Sequence, residues 1–125
     1  MIKKGIISFI FILLYTLCSA QIGNVIVERN FAKIYNENGY YTGKWINLTS
    51  NVNSIGWNDR YIVIVKNSKI YIYNHEGSYT GKWISLCSEC KFHLVTRNNI
   101  IIIEKGYKLL HYDFIGSYTG KFTYF

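Results

Sequence analysis

The sequence predicts an all-β fold of tandem four-stranded antiparallel repeats, and three observations predict it. Tyr41-Thr42-Gly43-Lys44-Trp45 returns after 38 residues at positions 79–83, and after 39 more as Tyr118-Thr119-Gly120-Lys121-Phe122. Self-similarity at such a period marks an array of one supersecondary unit. The composition is strand-like: 12 Tyr, 7 Phe, 3 Trp and no Pro, with Ile and Asn used where Ala and Leu would fill helices. Aromatic and β-branched residues suit strands, and Asn-Gly clusters suit the turns between them. Finally, nothing after residue 21 sustains a 3.6-residue apolar period.

In chain order, residues 1–20 carry the pattern of a secretory signal. Lys3 and Lys4 form a basic start, Ile6–Leu17 an apolar run of 12 residues, and Cys18-Ser19-Ala20 a small-residue cleavage site. A bilayer span needs roughly 20 apolar residues, so no stable membrane span is expected after cleavage. A lipid anchor at Cys18 would want a small preceding residue, whereas Leu17 is large. The expected product is a single domain over 21–125, secreted or periplasmic, with units at about 24–45, 46–83 and 84–122. Without Lys3 and Lys4, twelve basic residues face seven acidic ones, a net of +5. They are scattered, so the expected surface is solvated and mildly basic, with no nucleic-acid partner.

In the first unit, Asn24–Glu28, Phe31–Asn36 and Tyr40–Trp45 read as strands. In the second, Tyr61–Val65, Lys69–Asn74 and Ser78–Trp83 are strands, turned by Lys66-Asn67-Ser68 and His75-Glu76-Gly77. The third repeats the plan with Asn99–Glu104, Tyr107–Asp113 and Ser117–Phe122, its first turn at Lys105-Gly106. Further strands are expected at Trp45–Leu48, and at Trp83–Leu86 with Phe92–Val95. Ile62–Val65 and Ile100–Ile103 are continuously apolar, which means sheets covered on both faces. Four-stranded sheets covered on both faces and repeated in series describe β-propeller-like blades. A β-trefoil or β-prism is the alternative threefold arrangement.

Lys69 to Trp83 resembles the central part of NHL-type blades from six-bladed propellers. There a strand of alternating apolar residues ends in Asp or Asn, a short turn carries Gly, and an aromatic strand follows. The matching positions are Asn36, Asn74 and Asp113, then Gly39, Gly77 and Gly116. The family places Asp after the first strand, where this chain has Lys66 or Lys105. A closed propeller needs at least four blades. The resemblance therefore implies a homodimeric ring, with residues 123–125 completing the partner's first blade.

Gly39–Lys44 and its copies superficially match a phosphate loop. They have three residues between the glycines, an aromatic after the Lys and no helix, so no nucleotide site is expected. Cys87-Ser88-Glu89-Cys90 lacks a second Cys pair for zinc; in an exported chain it reads as a disulfide. His75, His93 and His111 fall on different elements, and the acids form no recurring pair. Accordingly no catalytic residues, metal or cofactor are expected. Binding candidates are Tyr41, Lys44, Tyr79, Lys82, Tyr118 and Lys121, toward a protein or glycan. Gly39, Gly77 and Gly116, with Trp45, Trp83 and Phe122, are expected to be structural, the aromatics packing between units. Asn47-Leu48-Thr49 is a glycosylation sequon should the source be eukaryotic.

Overall fold

A computed structural model describes residues 21–124; the expected signal segment and Phe125 lie outside the described residues. The described chain is all strand and turn. Its strands are β1 (Ile22–Glu28), β2 (Phe31–Asn36), β3 (Tyr41–Asn47), β4 (Val52–Trp57), β5 (Tyr61–Lys66) and β6 (Lys69–Asn74). There follow β7 (Tyr79–Ser85), β8 (Cys90–Val95), β9 (Ile100–Glu104), β10 (Lys108–Tyr112) and β11 (Tyr118–Tyr124). They form three antiparallel meanders in tandem: sheet 1 is β1-β2-β3, sheet 2 is β4-β5-β6-β7, and sheet 3 is β8-β9-β10-β11. No closed barrel forms among the described residues, which removes the trefoil.

Two strand expectations are corrected. Trp45–Leu48 and Trp83–Leu86 are not separate strands; they prolong β3 and β7 to Asn47 and Ser85. The true opening strand of sheet 2 is Val52–Trp57, where Asn53, Ser54 and Gly56 dilute the apolar pattern. Likewise Thr123 and Tyr124 pair with Leu109 and Lys108 on β10. They are held in their own sheet, as Ile46–Asn47 and Ile84–Ser85 are held in theirs.

Register explains how the sheets stack. Val63 pairs with Ile72 and Val65 with Ile70 on what we term the forward face of sheet 2. With Ile84, this face packs on Ile100, Ile102 and Leu110 of sheet 3. Ile62 and Ile64, on the rear face of sheet 2, pack on Val25, Ala32, Ile34 and Ile46 from the forward face of sheet 1. Sheet 2 is therefore covered on both faces, which is why Ile62–Val65 is apolar at every position. Each Ile or Val so buried contributes roughly 1.5–3 kcal/mol.

The opening strands lie nearest one another. A Cβ on Gly56 of β4 would come within 2.8 Å of Phe92 and Val95 on β8, so glycine there admits the neighbouring strand. Backbone and side-chain bonds tie the same end together. Ile22 N donates to the Asp59 carbonyl at 2.8 Å, and Asn58 Nδ2 donates to the carbonyls of Thr96 and Arg97. The closing strands β3, β7 and β11 form the opposite edge of each sheet. Among the described residues sheet 1 has no counterpart of β4 and β8. A groove of about 550 Å³ lies beside that edge of β1, lined by Val25, Val27, Val52, Ile55 and Trp57 among others.

Candidate functional site

The repeated motif builds an edge, and its chemistry is local. Asn36 and Asn74 end their middle strands, and Asp113 directly follows the third. The Oδ1 of Asn74 accepts from Glu76 N at 2.9 Å and Ser78 N at 3.0 Å. Asn36 and Asp113 do the same for their turns. This Asx arrangement satisfies turn donors that no ladder can reach. The turn then closes through glycine in the left-handed region, Gly77 at φ 80° and Gly116 at φ 86°.

A bulge follows. Thr42, Thr80 and Thr119 each donate their hydroxyl to a carbonyl of the middle strand, those of Ile34, Ile72 and His111, at 2.7–2.8 Å. The same Oγ1 accepts from the backbone N of Lys44, Lys82 or Lys121 at 3.2 Å. Between them Gly43, Gly81 and Gly120 take φ of 82–84°. Thr-Gly-Lys is thus a bulge in which a hydroxyl stands in for a ladder donor. Its register shift puts Tyr41 opposite Tyr35 and Trp45 opposite Lys33.

The side chains raised by this edge recur in all three sheets. Tyr41, Tyr79 and Tyr118 are 44–45% exposed, and Trp45, Trp83 and Phe122 are 44–49% exposed. The expectation that Trp45, Trp83 and Phe122 pack their rings between sheets is corrected. The rings stand at the outer edge, and it is the Trp45 and Trp83 carbonyls that meet the next sheet. A Cβ on Gly77 would sit 2.8 Å from the Trp45 carbonyl oxygen, and one on Gly116 2.7 Å from that of Trp83. The equivalent Gly39 has nothing within 4 Å. Lys44, Lys82 and Lys121 are exposed on the bulge.

Sequence reasoning missed the partners of these aromatics. Tyr35, Tyr73 and Tyr112 on the middle strands lie 5.4–5.5 Å, ring to ring, from Tyr41, Tyr79 and Tyr118. Lys33 stands over Tyr41, Lys69 over Trp83 and Lys108 over Phe122, the last at 4.2 Å. Alternation on the middle strands, read against the motif, was the available signal. In sheet 1 the edge encloses a cavity of about 290 Å³ lined by Glu28, Arg29, Phe31, Lys33, Tyr41 and Trp45. Glu28 accepts from Lys33 Nζ at 2.9 Å there; this bond, first of all, raises the Lys33 pKa. Burial, then neighbouring tyrosines, raises the Tyr73 hydroxyl, and burial followed by Tyr71 raises Tyr79. Burial, Tyr118 and Glu104 raise Tyr112.

Cys87 and Cys90 form a disulfide at the start of β8, with Cα atoms 4.9 Å apart. Glu104 brings a carboxylate within 4.8 Å of both sulfurs, but as a disulfide they offer no thiolate for a metal. His75 lies in the β6–β7 turn, 3.8 Å from the Glu76 carboxylate. His93 sits on β8 and His111 on β10. No known protein family, curated protein or solved structure matches this chain.

Proposed function

We propose that the chain is an exported, non-catalytic binding or scaffolding module built from propeller-like blades of the NHL kind. Its working surface is the outer edge formed by β3, β7 and β11. One observation carries this reading: the same Tyr, Lys and Trp or Phe side chains stand half-exposed at the same place on three successive sheets. Large aromatics held open on a rigid edge suit stacking on sugar faces or anchoring a protein. Three equivalent copies favour a multivalent partner, because linked sites raise avidity without new contacts. Export rests on the pattern of residues 1–20, and the Cys87–Cys90 bridge agrees with it, since disulfides persist in oxidising compartments.

The test is titration of the purified protein against a panel of glycans and a panel of extracellular proteins. Ligands found are then retested with Trp45→Ala, Trp83→Ala and Phe122→Ala, singly and together. Hot-spot aromatics cost 2 kcal/mol or more on truncation, about 30-fold in affinity. The triple variant is expected to lose binding while keeping its β-rich circular dichroism. Undiminished binding by a folded triple variant places the working surface elsewhere.

A further inference from the structure

We infer that two copies of this chain dock head to tail, the forward face of sheet 3 in one copy on the rear face of sheet 1 in the other, closing a ring of six sheets. The inference rests on the propeller-like reading above and supplies its partner. Its basis is that the described residues make the same junction twice and leave two matching faces without a sheet against them, one on sheet 1 and one on sheet 3, where Ile101 is buried but Leu94 beside it is 41% exposed.

At each internal junction a rear-face Ile of the later sheet is sealed, and a turn glycine of that sheet rests on an aromatic residue's carbonyl of the earlier one. Ile64 and Ile102 are the sealed residues, 2% and 1% exposed. Gly77 meets the Trp45 carbonyl and Gly116 the Trp83 carbonyl. Register identifies the third set. Ile26 pairs with Lys33 as Ile64 pairs with Tyr71 and Ile102 with Leu110. Yet Ile26 is 43% exposed, and Gly39, the counterpart of Gly77 and Gly116, has open space around it. The receiving half is on sheet 3. Ile101 pairs with His111 and Ile103 with Leu109, as Val63 pairs with Ile72 and Val65 with Ile70. Phe122 holds the place of Trp45 and Trp83. No fourth sheet lies against this face among the described residues.

The two open halves also match in polarity where the internal junctions do not need to. Inside the chain, Ile62 shares a core cluster with Ile34, and Ile100 shares one with Ile72. At the open ends the corresponding residues are Asn24, which pairs with Tyr35 as Ile62 does with Tyr73, and His111. Both ring nitrogens of His111 are shielded from solvent and lack a hydrogen-bond partner. Such groups are costly unless satisfied. At the third junction Asn24 of the second copy meets the His111 position, polar against polar, where Ile meets Ile elsewhere. Ring size follows from number: propellers close with roughly four to eight blades, and two copies of the three sheets seen among the described residues make six.

The test is light scattering coupled to size-exclusion chromatography on the purified protein. Wild type is expected at twice the chain mass. Ile26→Glu, on an already exposed position, is expected to run as a folded monomer, and Leu109→Lys likewise. Mixed together, the two variants are expected to recover the dimer, because each contributes one intact face and the altered faces carry opposite charges. A wild-type monomer, or an Ile26→Glu dimer as tight as wild type, overturns the inference. Should Leu109→Lys fail to fold, Gly39→Val provides the second arm, with monomer expected. These outcomes are independent of ligand titration. A monomer that binds through its aromatic edge overturns the ring alone, and a dimer without ligands overturns the binding surface alone.

Discussion

Thr80 shows how much structure one hydroxyl carries. It bonds the Ile72 carbonyl and receives Lys82 N, so Thr80→Val strands a donor and an acceptor at one stroke. The expected cost is about 1–3 kcal/mol, read as a lower urea midpoint at unchanged slope; an unshifted midpoint would show the bulge holds without it. The middle-strand tyrosines give a pH signature. The Tyr73 and Tyr112 hydroxyls titrate above the ordinary tyrosine value of about 10, chiefly because of burial. A folded-state pKa above the unfolded one means the folded chain binds more protons in that interval. Their stabilising contribution is therefore complete below about pH 10 and falls away as pH rises through the folded values. Denaturant midpoints measured from pH 8 to 11.5 should decline above pH 10, and Tyr73→Phe with Tyr112→Phe should flatten that decline.

At the scale of the element, the turns and bulges were legible as positions but not as purposes. Asn36, Asn74 and Asp113 with their glycines were recognisable as strand ends, because Asx turns need those residue types. The glycine of Thr-Gly-Lys marked a bend in the closing strand, but the hydroxyl that replaces a ladder donor leaves no periodic trace. Strand β4 was misplaced for a related reason: Gly56 is there to admit Phe92 and Val95, and a glycine chosen for a neighbour breaks the local pattern. Equivalent glycines should accordingly differ. Gly77→Ala and Gly116→Ala combine positive φ with a backbone clash, whereas Gly39→Ala meets positive φ in open space. Each carries the roughly 1 kcal/mol of left-handed strain, and the first two should cost measurably more in thermal unfolding at equal oligomeric state. Equal losses at all three would mean the Trp45 and Trp83 carbonyls yield freely. Reducing Cys87–Cys90 opens a loop with a sequence separation of only 3, so it should cost about 2 kcal/mol or less and leave the β signal intact.

Across the whole molecule, stability is graded by position in the stack. The continuous apolar runs announced sheets buried on both faces, and sheet 2 is such a sheet. What the sequence could not announce is that, among the described residues of one chain, sheets 1 and 3 each keep one face without a sheet partner, because Ile26 and Ile64 are the same residue type in different surroundings. Ile64→Ala removes side-chain volume between sheets 1 and 2, and Ile72→Ala removes it between sheets 2 and 3. Each is expected to cost about 2–5 kcal/mol, against under about 0.5 kcal/mol for Ile26→Ala in the separated monomer. Local opening follows the same order, since protection reflects buried apolar contact and paired backbone. The amides of β5 lie between two paired strands with Ile62–Val65 buried on both faces. Among the described residues those of β1 are paired with β2 alone and those of β11 with β10 alone, the latter with every side chain in the exposed range. Hydrogen exchange followed by mass spectrometry should find β5 and β6 slowest, β1 and β11 fastest, and β9 between them. Equal protection of β1 and β5 would mean that sheet 1 is covered as fully as sheet 2.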